Sequence, residues 1–329
     1  SIGISVTMSS RWNPLSIFKR VVRRLRGALQ RHFGPRVESV LDRADREIPG
    51  LFKPGLPQDS DDLLRHFATR ISDGWPRLPD ELTDLRLNLS RMTDEEVIGK
   101  ADAALDGDLH PSGVRPEFTE RNTIDWSLNP AESKEWLLML HRHAWWPLWG
   151  AAYQRTGDEK YAEAFVAQLL DWINSNPMPG QKNEGAASWR LMETGLRMRI
   201  SWIPCFGCFF DSPAFGRTAK LTMLKAIYDH GRFLHRFYTN RNHLVRESNG
   251  LLATGLCFHE FDEAQAWVSA AAGRLESELH SQVNRDGSHL EMSVGYQWLT
   301  VVEFEVTRSL LRQFGQTTVI NDLDKMLRQ

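Results

Sequence analysis

The sequence lacks several features that would place it in a familiar class at once. It has three cysteines among 329 residues, too few for a disulfide framework, so the redox compartment stays open. No apolar run approaches the ~20 residues that a membrane-spanning helix requires. HExxH, GxSxG and glycine-rich phosphate-binding motifs are missing. The sequence therefore gives no support to metalloprotease, serine hydrolase, kinase or nucleotide-binding functions.

The composition is that of a globular protein with an unusual choice of large side chains. Hydrophobic residues make up 41% and charged residues 25% of the chain, which excludes a disordered or fibrous protein. There are 12 tryptophans, and the 40 basic residues are 31 arginines and only 9 lysines. Indole rings and planar guanidinium groups suit a ligand with sugar rings and carboxylate or sulfate groups. Core-filling tryptophans and a GC-rich genome would give the same counts, so both explanations stay open.

The small net charge of −2 hides a basic N-terminal arm. Residues 1–36 contain eight basic residues and no acidic one, which leaves 32 basic against 42 acidic residues, or −10, in the rest. Between residues 17 and 33, apolar side chains recur at helical spacing opposite the arginines. Such a basic amphipathic helix either contacts an anionic membrane surface or packs on its own domain. Charges interrupt every apolar stretch of the arm, so we expect no signal peptide there.

Two further segments follow the arm. Prolines punctuate short helical stretches over residues 37–120, which predicts an irregular wrapping segment without a core of its own. Residues 121–329 show one helical pattern after another with short links and almost no alternating strand pattern, which predicts an all-α domain of helical hairpins. No motif recurs at a fixed period, so a closed or partly closed ring fits better than a repeat array. The predicted helices cover 130–156, 158–176, 186–210, 214–237, 242–258, 262–284 and 293–314.

Cysteine and histidine form no recognisable metal or redox motif. Cys205 and Cys208 have CxxC spacing, but no second pair accompanies them and their neighbours are strongly apolar, so we expect buried structural thiols. His141 and His143 lie two positions apart on a predicted helix and would point to different faces, which is poor for chelation. We therefore expect no bound metal and no cofactor.

Two polar stretches interrupt the apolar helices. The first runs from Asn240 to Gly250, and the second from Asp286 to Gln297. Polar groups at the beginning of a helix, where backbone N–H groups are free, suit an anionic ligand. The same residue types are ordinary helix caps, and capping is the simpler explanation from composition alone.

At these stretches the chain resembles the heparinase II/III-like family of polysaccharide lyases, specifically their helical N-terminal domain. The resemblance implies an incomplete (α/α) toroid followed by a C-terminal antiparallel β-sandwich. Nothing in this chain corresponds to the sandwich, so we expect that partner domain, and half of the cleft, to be missing from it. The matching pieces occur in family order and are WSLNP at 126–130, HRHAWW at 141–146, AAYQRTGDEKY at 151–161, DWINSNP at 171–177, the segment 189–197, NHL at 242–244 and DGSHLEMSVGYQ at 286–297.

The resemblance also implies a mechanism. The family breaks the bond at C4 of a uronic acid by β-elimination. The C5 proton is not acidic, so the reaction requires a group that neutralises the carboxylate, a base, and an acid for the leaving O4. The resemblance assigns the neutralising contact to Asn242 with its neighbour His243, and the base or acid to Tyr296. A nearby cation, for which Arg241 and Arg246 are candidates, would lower the tyrosine pKa from its reference value of ~10.

We expect a substrate groove around these residues. Trp189, Glu193 and Arg197 lie four apart on one face of a predicted helix, next to Arg190. Arginine pairs bidentately with carboxylate or sulfate, and tryptophan stacks on a sugar ring. A structural Glu193–Arg197 ion pair explains the spacing equally well. Further predicted substrate contacts are Arg241, Glu291 and Gln297.

The sequence therefore predicts a lyase domain that cleaves a uronate-containing acidic polysaccharide such as heparan sulfate. Two alternatives stay open, an alginate or other exopolysaccharide lyase and a non-catalytic polysaccharide-binding or envelope-assembly domain. The resemblance implies a periplasmic location, whereas the basic arm also fits a cytoplasmic or membrane-associated one. We expect an acidic polysaccharide as the partner and no nucleic acid.

Overall fold

The computed structural model describes residues 48–57, 59–76, 89–109, 114–116, 118–120, 123–182, 185–282 and 294–316, with the single positions 320, 323 and 327. The predicted arm at 1–36 lies outside these residues, as does Glu291. The backbone of 294–297 is described, whereas its side chains are not. The chain divides between residues 44 and 45, and the second unit contains every described residue.

Helices dominate the described residues. They are α1 (Ser60–Gly74), α2 (Asp94–Leu105), α3 (Lys134–Leu140), α4 (Trp146–Thr156), α5 (Glu159–Ser175), α6 (Leu191–Arg197), α7 (Ile203–Phe209), α8 (Arg217–Arg236), α9 (Arg241–Cys257), α10 (Ala264–Gln282) and α11 (Val294–Gln313). Short 3₁₀ turns cover Ile48–Leu51 and Leu89–Arg91, and a π-turn covers Met198–Trp202. Within this part of the chain, the named strands are a two-stranded antiparallel hairpin of β1 (Phe118–Glu120) and β2 (Thr123–Ile124). The predicted all-α class is confirmed, and no described helix is long and apolar enough to cross a membrane.

Side-chain caps determine where several helices begin. Asp59, Thr93, Ser133 and Asp158 each precede a helix and accept hydrogen bonds from its first N–H groups. Thr93 forms a reciprocal capping box with Glu96, whose carboxylate accepts the backbone N–H of Thr93 at 2.8 Å. These caps satisfy donors that a helix leaves unpaired in its first turn. The beginnings of these helices therefore follow from local sequence.

The helix predicted over 130–156 is interrupted, which corrects the sequence-based boundaries. It begins four residues later than predicted, and residues 141–145 form a turn between α3 and α4. Pro147 is the cause, because it has no N–H to donate and its ring would clash with the carbonyl four residues earlier. That earlier residue, His143, adopts a left-handed conformation with a φ of 56°. The turn carries His141 and His143 into the interior instead of placing them on two faces of one helix.

A continuous helical segment runs over 191–209, within the predicted range, but it contains the π-turn. The N–H of Ile203 reaches back to the carbonyl of Met198 instead of the residue after it. Pro204 explains this widening, because its ring prevents the regular α-helical pattern in the turn before it. Widened turns of this kind are frequent at functional sites, and this one carries Arg199.

Helices α8 to α11 agree with the predicted ranges to within three residues. Consecutive helices contact one another, since α4 packs on α5, α8 on α9 and α9 on α10. From the proline-rich segment, α2 packs on α4 and α5, and α1 packs on α8. The boundaries of the three predicted segments, at residues 36 and 120, stay predictions.

Helix α9 packs against four other helices, α6, α8, α10 and α11. Helices α6 and α9 cross at two glycines. A Cβ atom on Gly250 would lie 2.4 Å from the backbone of Gly195, which is closer than real Cβ contacts come. Only glycine at this position allows the two backbones to approach so closely. The crossing places α6 beside the middle of α9, at residues 246–250.

Candidate active site

A buried group of tryptophan and histidine side chains lies behind the candidate site. No member exposes more than 5% of its surface, and the rings pack in stacked, tilted and edge-on contacts. Nine of the 12 tryptophans of the chain are buried and six of these belong to the group, so core filling is the correct explanation for most of them. We call it the aromatic–histidine cluster, and it consists of Trp126, His141, His143, Trp145, Trp146, Trp172, Trp189, Trp202 and His230.

Two histidines of the cluster accept hydrogen bonds from tryptophans and are therefore neutral. Nε1 of Trp172 donates to Nδ1 of His141, and Nε1 of Trp202 donates to Nδ1 of His143, each at 3.0 Å. Burial lowers the pKa of His141 to about 3 and holds the pKa of His143 well below its usual range. The nearby cation Arg197 acts in the same direction. Both rings are parts of the interior at neutral pH, not proton carriers.

Arg197 is a buried cation inside the same cluster. Its guanidinium carbon lies 4.5 Å from the ring centroid of Trp172 and 5.2 Å from that of Trp189. Its Nε donates to Nε2 of His230 at 2.8 Å, and burial together with this cation holds the pKa of His230 well below its usual range. Burial lowers the pKa of Arg197 to about 9, and the carboxylate of Glu193 opposes that shift. The guanidinium therefore remains charged near neutral pH between two aromatic faces.

Glu193 joins two arginines at the edge of this cluster. Its carboxylate is fully buried, and Oε1 accepts from Nη2 of Arg142 while Oε2 accepts from Nη1 of Arg190, both at 2.9 Å. The exposed carboxylate of Glu135 also lies 3.5 Å from Arg142. Charge-assisted hydrogen bonds of this kind are strong and directional. Glu193 thus fixes the orientation of two guanidinium groups that reach the surface.

Glu303 on α11 holds two arginines from other elements. Its carboxylate accepts from Nη2 of Arg199 at 3.2 Å and from Nε of Arg246 at 3.2 Å. Nδ2 of Asn249 donates to the same carboxylate at 3.2 Å and to the backbone carbonyl of Glu303 at 2.8 Å. Arg199 is almost fully buried, whereas Arg246 reaches the surface. Glu303 therefore ties the π-turn to α9 and α11.

The charges of these two groups do not balance. Four arginines surround two buried carboxylates and the exposed carboxylate of Glu135, which leaves an excess of one positive charge. Nη1 of Arg246 lies 3.6 Å from Sδ of Met192, next in sequence to Glu193, so the two groups adjoin. Three of the arginines expose 17–22% of their side chains, so the excess can attract an anionic ligand. We call this set the arginine layer, and its members are Arg142, Arg190, Glu193, Arg199, Arg246 and Glu303.

The first turn of α9 carries the polar residues predicted for chemistry. Asn242 is half-buried, whereas Arg241 and His243 are exposed. Arg241 has a left-handed backbone with a φ of 55°, and its N–H donates to Oε1 of Glu278 on α10 at 3.2 Å. Asn240 occupies the cap position without a side-chain capping bond. Helix capping therefore does not account for the asparagine that precedes this turn.

The contacts between α9 and α11 advance in the same direction along both helices. Arg246 bonds to Glu303, and three residues further along α9 Oδ1 of Asn249 accepts from Oγ1 of Thr307 at 2.7 Å. A step of three residues on one helix thus corresponds to a step of four on the other. The two helices therefore run side by side in parallel over this contact, and their first turns lie at the same end of it.

Asn242 and Tyr296 both lie near the beginnings of these two helices. Asn242 lies seven residues before Asn249, and Tyr296 lies seven residues before Glu303. Seven residues are about two helical turns, or ~10 Å, and return to nearly the same helix face. The backbone thus places both positions in the first turns of neighbouring helices. The side chains of Tyr296 and Gln297 lie outside the described residues.

The residues predicted for the groove on α6 fall into two groups. Arg190 is partly exposed, as contact with a ligand requires. Trp189, Glu193 and Arg197 are buried, so they lie beneath the surface and not on it. Because these three side chains are buried, they cannot contact a substrate as predicted, and they support the exposed residues from below. The alternative prediction was an ion pair between Glu193 and Arg197. Glu193 instead forms its ion pairs with Arg142 and Arg190.

Sequence reasoning did not assign Arg142, Arg199 and Glu303 to the site. Arg142 stands among aromatic residues in HRHAWW, and Arg199 among apolar ones in MRISW. A charged side chain in such surroundings is buried only when it is paired, so it indicates a hidden partner. The sequence therefore indicates that Arg142 and Arg199 are paired, but it does not identify the carboxylates that pair with them.

The CxxC cysteines belong to the apolar interior. Cys205 is fully buried, which raises the pKa of its thiol, and none of the three cysteines forms a disulfide. Cys208 packs closely on α4, since a Cβ atom on Gly150 would lie 3.2 Å from its side chain. In the described part of the chain, no group of three or more histidine, cysteine and acidic side chains is arranged to hold a metal ion.

The fold and the site define an all-α hairpin domain with a cationic layer at the beginning of one central helix. Residues 74–322 match the family model described as Heparinase II/III N-terminus. The match covers 249 of the 329 residues. The chain therefore belongs to this family.

Two similar proteins are named heparin-sulfate lyase. The one from Pedobacter heparinus is 29% identical over 239 residues, which is 72% of this chain and 35% of that protein. The one from Bacteroides stercoris is 30% identical over 285 residues, which is 78% of this chain and 41% of that protein. The chain thus spans less than half the length of these relatives.

Solved structures share the fold. Heparan sulfate lyase HepC from Pedobacter heparinus has a TM-score of 0.70 at 23% identity, over 88% of this chain and 45% of that one. A crystal structure of heparinase III has a TM-score of 0.72 at 22% identity, over 86% of this chain and 46% of that one. The described helices therefore form the incomplete (α/α) toroid that the sequence predicts.

Proposed function

We propose that the chain is the toroid domain of a polysaccharide lyase that cleaves a uronate-containing polysaccharide of the heparan sulfate type by β-elimination. Three findings support the proposal. The chain belongs to the heparinase II/III family, two relatives are named heparin-sulfate lyase, and the arginine layer carries an excess of positive charge. A polymer of carboxylate and sulfate groups supplies the missing negative charge.

The observation that carries the proposal is that Asn242 and Tyr296 both lie in the first turns of two neighbouring helices. Asn242 lies seven residues before Asn249 and Tyr296 seven residues before Glu303, and Asn249 and Glu303 are hydrogen-bonded to each other. β-Elimination needs a carboxylate-neutralising donor and a proton-transferring group on adjacent atoms of one sugar. Two helices that begin side by side can place both groups around one ring.

In the proposed reaction, Tyr296 as phenolate removes the C5 proton of the uronate. The electron pair of the C5–H bond forms the C4–C5 double bond, the C4–O4 bond breaks, and the phenol returns its proton to O4. Asn242, with His243, donates hydrogen bonds to the uronate carboxylate while negative charge builds up on it. A tyrosine with a reference pKa of ~10 is mostly protonated at neutral pH. The positive excess of the arginine layer favours the phenolate.

We assign substrate binding to the three partly exposed members of the arginine layer, Arg142, Arg190 and Arg246. Each is held by a buried carboxylate, so little side-chain freedom is lost when it pairs with a substrate carboxylate or sulfate. Glu193 acts through these arginines and not by touching the substrate. Arg241, Glu291 and Gln297 remain proposed contacts at the beginnings of α9 and α11.

Cleavage is tested by incubating the full-length protein with heparan sulfate, heparin and alginate. Ultraviolet absorbance of the unsaturated uronate reports the reaction. We expect a signal with heparan sulfate, and a loss of about 100-fold to 10,000-fold in Tyr296→Phe, because proton transfer contributes that much. The control is Tyr153→Phe, which removes a hydroxyl that donates to Glu159 of α5 at 3.1 Å and should leave the rate unchanged.

The outcomes separate the alternatives. A signal with alginate alone would indicate an exopolysaccharide lyase. Retained binding of the polymers without any absorbance change would indicate a non-catalytic binding domain. Activity that survives in Tyr296→Phe would remove the tyrosine from the mechanism.

We also propose a periplasmic location, for which the support is the family resemblance. The peripheral membrane contact predicted for residues 17–33 falls outside the described residues. Cell fractionation decides the question, because recovery with cytosolic or membrane marker enzymes would contradict a periplasmic location.

A further inference from the structure

Tyr238 is the most exposed large apolar or aromatic side chain among the described residues, with 53% of its surface accessible. It lies in the segment 237–240 that connects α8 to α9. Tyrosine is common where one part of a side chain stays in water and another contacts a ligand. A single exposed ring is common on protein surfaces, but the residues around Tyr238 hold this ring in a fixed position.

The ring of Tyr238 rests on a cation that is itself fixed. The guanidinium carbon of Arg274 lies 4.2 Å from the ring centroid. Nη1 and Nη2 of Arg274 donate to the carbonyls of Leu234 and His235 at 2.8 and 2.7 Å. These carbonyls belong to the last turn of α8, where helix geometry leaves acceptors free and favours a cation. Arg274 therefore supports one face of the ring, and the exposed surface lies away from it.

The backbone on both sides of the ring is also tied to the protein. The carbonyl of Tyr238 accepts from Nζ of Lys182 at 3.3 Å. The N–H of Thr239 donates to Oε2 of Glu247 at 2.8 Å, and its hydroxyl donates to Oε1 at 2.5 Å. Glu247 is buried in α9. Because the segment is held in one conformation, binding a ligand to the ring would cost little conformational entropy.

The ring also lies close to the proposed reaction centre. Asn242 follows Tyr238 by four positions, so their Cα atoms are at most ~14 Å apart. Two cationic side chains, Lys182 and Arg274, contact the same tyrosine. The segment therefore combines a fixed aromatic surface with positive charge, within the reach of a short oligosaccharide bound at Asn242.

We propose that Tyr238 is a stacking platform for a pyranose ring of the polysaccharide, next to the unit that reacts. This assignment rests on the proposed function. The aromatic ring packs against the apolar C–H face of the sugar, while the exposed Lys182 attracts its carboxylate or sulfate and Arg274 supports the opposite face of the ring. A unit that does not react is bound equally well in the ground and transition states. The platform therefore lowers KM and leaves kcat unchanged.

The test compares Tyr238→Ala with Tyr238→Phe and Tyr238→Trp in the full-length protein, with size-defined heparan sulfate oligosaccharides as the probe. We expect the alanine variant to raise both KM and the dissociation constant about tenfold, as the loss of one aromatic contact does. Its kcat should stay within about twofold of the wild-type value. The phenylalanine and tryptophan variants should restore binding. Phe118→Ala removes another exposed aromatic ring, on β1, and should leave KM unchanged.

Three results would overturn the platform, and they are distinguishable. If the wild-type protein binds and cleaves but Tyr238→Ala has the same KM and dissociation constant, the platform is wrong and the proposed function stands. A lower kcat at unchanged KM would assign Tyr238 to the chemical step or to folding. If the wild-type protein neither binds nor cleaves the oligosaccharides, the proposed function fails and the platform fails with it.

Discussion

Mild acidification should destabilise the protein well above the pH at which carboxylates take up protons. His141, His143 and His230 are neutral in the folded state, because burial and Arg197 lower their pKa values. In the unfolded chain each histidine has its reference pKa of ~6.5. As the pH falls through this value, the unfolded chain binds protons that the folded chain does not. The free energy of unfolding therefore falls with decreasing pH.

The size of the effect follows from these pKa values. Between about pH 7.5 and about pH 5.5, one histidine that titrates only in the unfolded state removes ~1.4 kcal/mol of stability. The three histidines together remove ~4 kcal/mol, a large part of the ~5–15 kcal/mol that is typical of a folded domain. The loss continues below this range, because the folded pKa of His141 is about 3.

Urea unfolding at a series of pH values, followed by tryptophan fluorescence, measures this loss. His143→Gln keeps an acceptor for the indole N–H of Trp202 but cannot be protonated. We expect this variant to lose ~3 kcal/mol instead of ~4 kcal/mol over the same range. His259→Gln is the matched control, since His259 is exposed. Carboxylates with lowered pKa values, such as Asp102 and Asp125, lose their contribution only as the pH falls towards and below ~4.

Two results would refute the reasoning. A free energy of unfolding that stays constant between about pH 7.5 and about pH 5.5 would mean that the histidines are not held neutral by the fold. A His143→Gln variant with the full wild-type pH dependence would mean that His143 is protonated equally in both states.

Two substitutions probe the helices and the charges around the site. Gly250→Ala places a Cβ atom 2.4 Å from the backbone of α6, so we expect a loss of ~1–3 kcal/mol by urea unfolding. Gly273→Ala, which meets nothing within 4 Å, should be neutral or slightly stabilising, and equal losses would contradict the close crossing. Glu193→Gln deprives two arginines of their buried counter-charge and should cost ~3–5 kcal/mol. Glu135→Gln removes an exposed carboxylate near Arg142 and should stay within ~0.5 kcal/mol, so equal costs would mean that Glu193 is not needed.

Helix positions could be predicted because their determinants are local. Apolar periodicity marks the buried faces, and residues such as Asp158 mark the beginnings. The turn at 141–145 was missed because the apolar positions before and after it fit one uninterrupted helix. Pro147 carried the contrary signal, since a proline inside a helical pattern ends the helix before it. In that conflict the covalent constraint of proline outweighed the hydrophobic pattern.

The site could be predicted only where its residues stand in local motifs. Asn242 and His243 are adjacent in sequence and begin one helix. Arg199 and Glu303 are 104 positions apart, and no spacing rule connects residues that the fold brings together from different helices. Trp189 was expected in the groove from its residue type, yet its indole N–H donates to a backbone carbonyl at 2.9 Å in the interior. The exposed ring near Asn242 belongs to a tyrosine instead.

The aromatic–histidine cluster and the arginine layer act together on the electrostatics of the site. A buried guanidinium is usually neutralised by a carboxylate, but the carboxylate of Glu193 accepts its hydrogen bonds from two other arginines. Arg197 is stabilised instead by two aromatic faces and by the neutral ring of His230, none of which carries negative charge. Its charge therefore adds to the excess of the arginine layer. The same arrangement makes protonation of the neighbouring histidines unfavourable, because it would place further positive charge beside a buried cation. Arg197 thus contributes both to the acid sensitivity of the fold, for which burial of the histidines is the larger cause, and to the proposed attraction of the site for an anionic polymer.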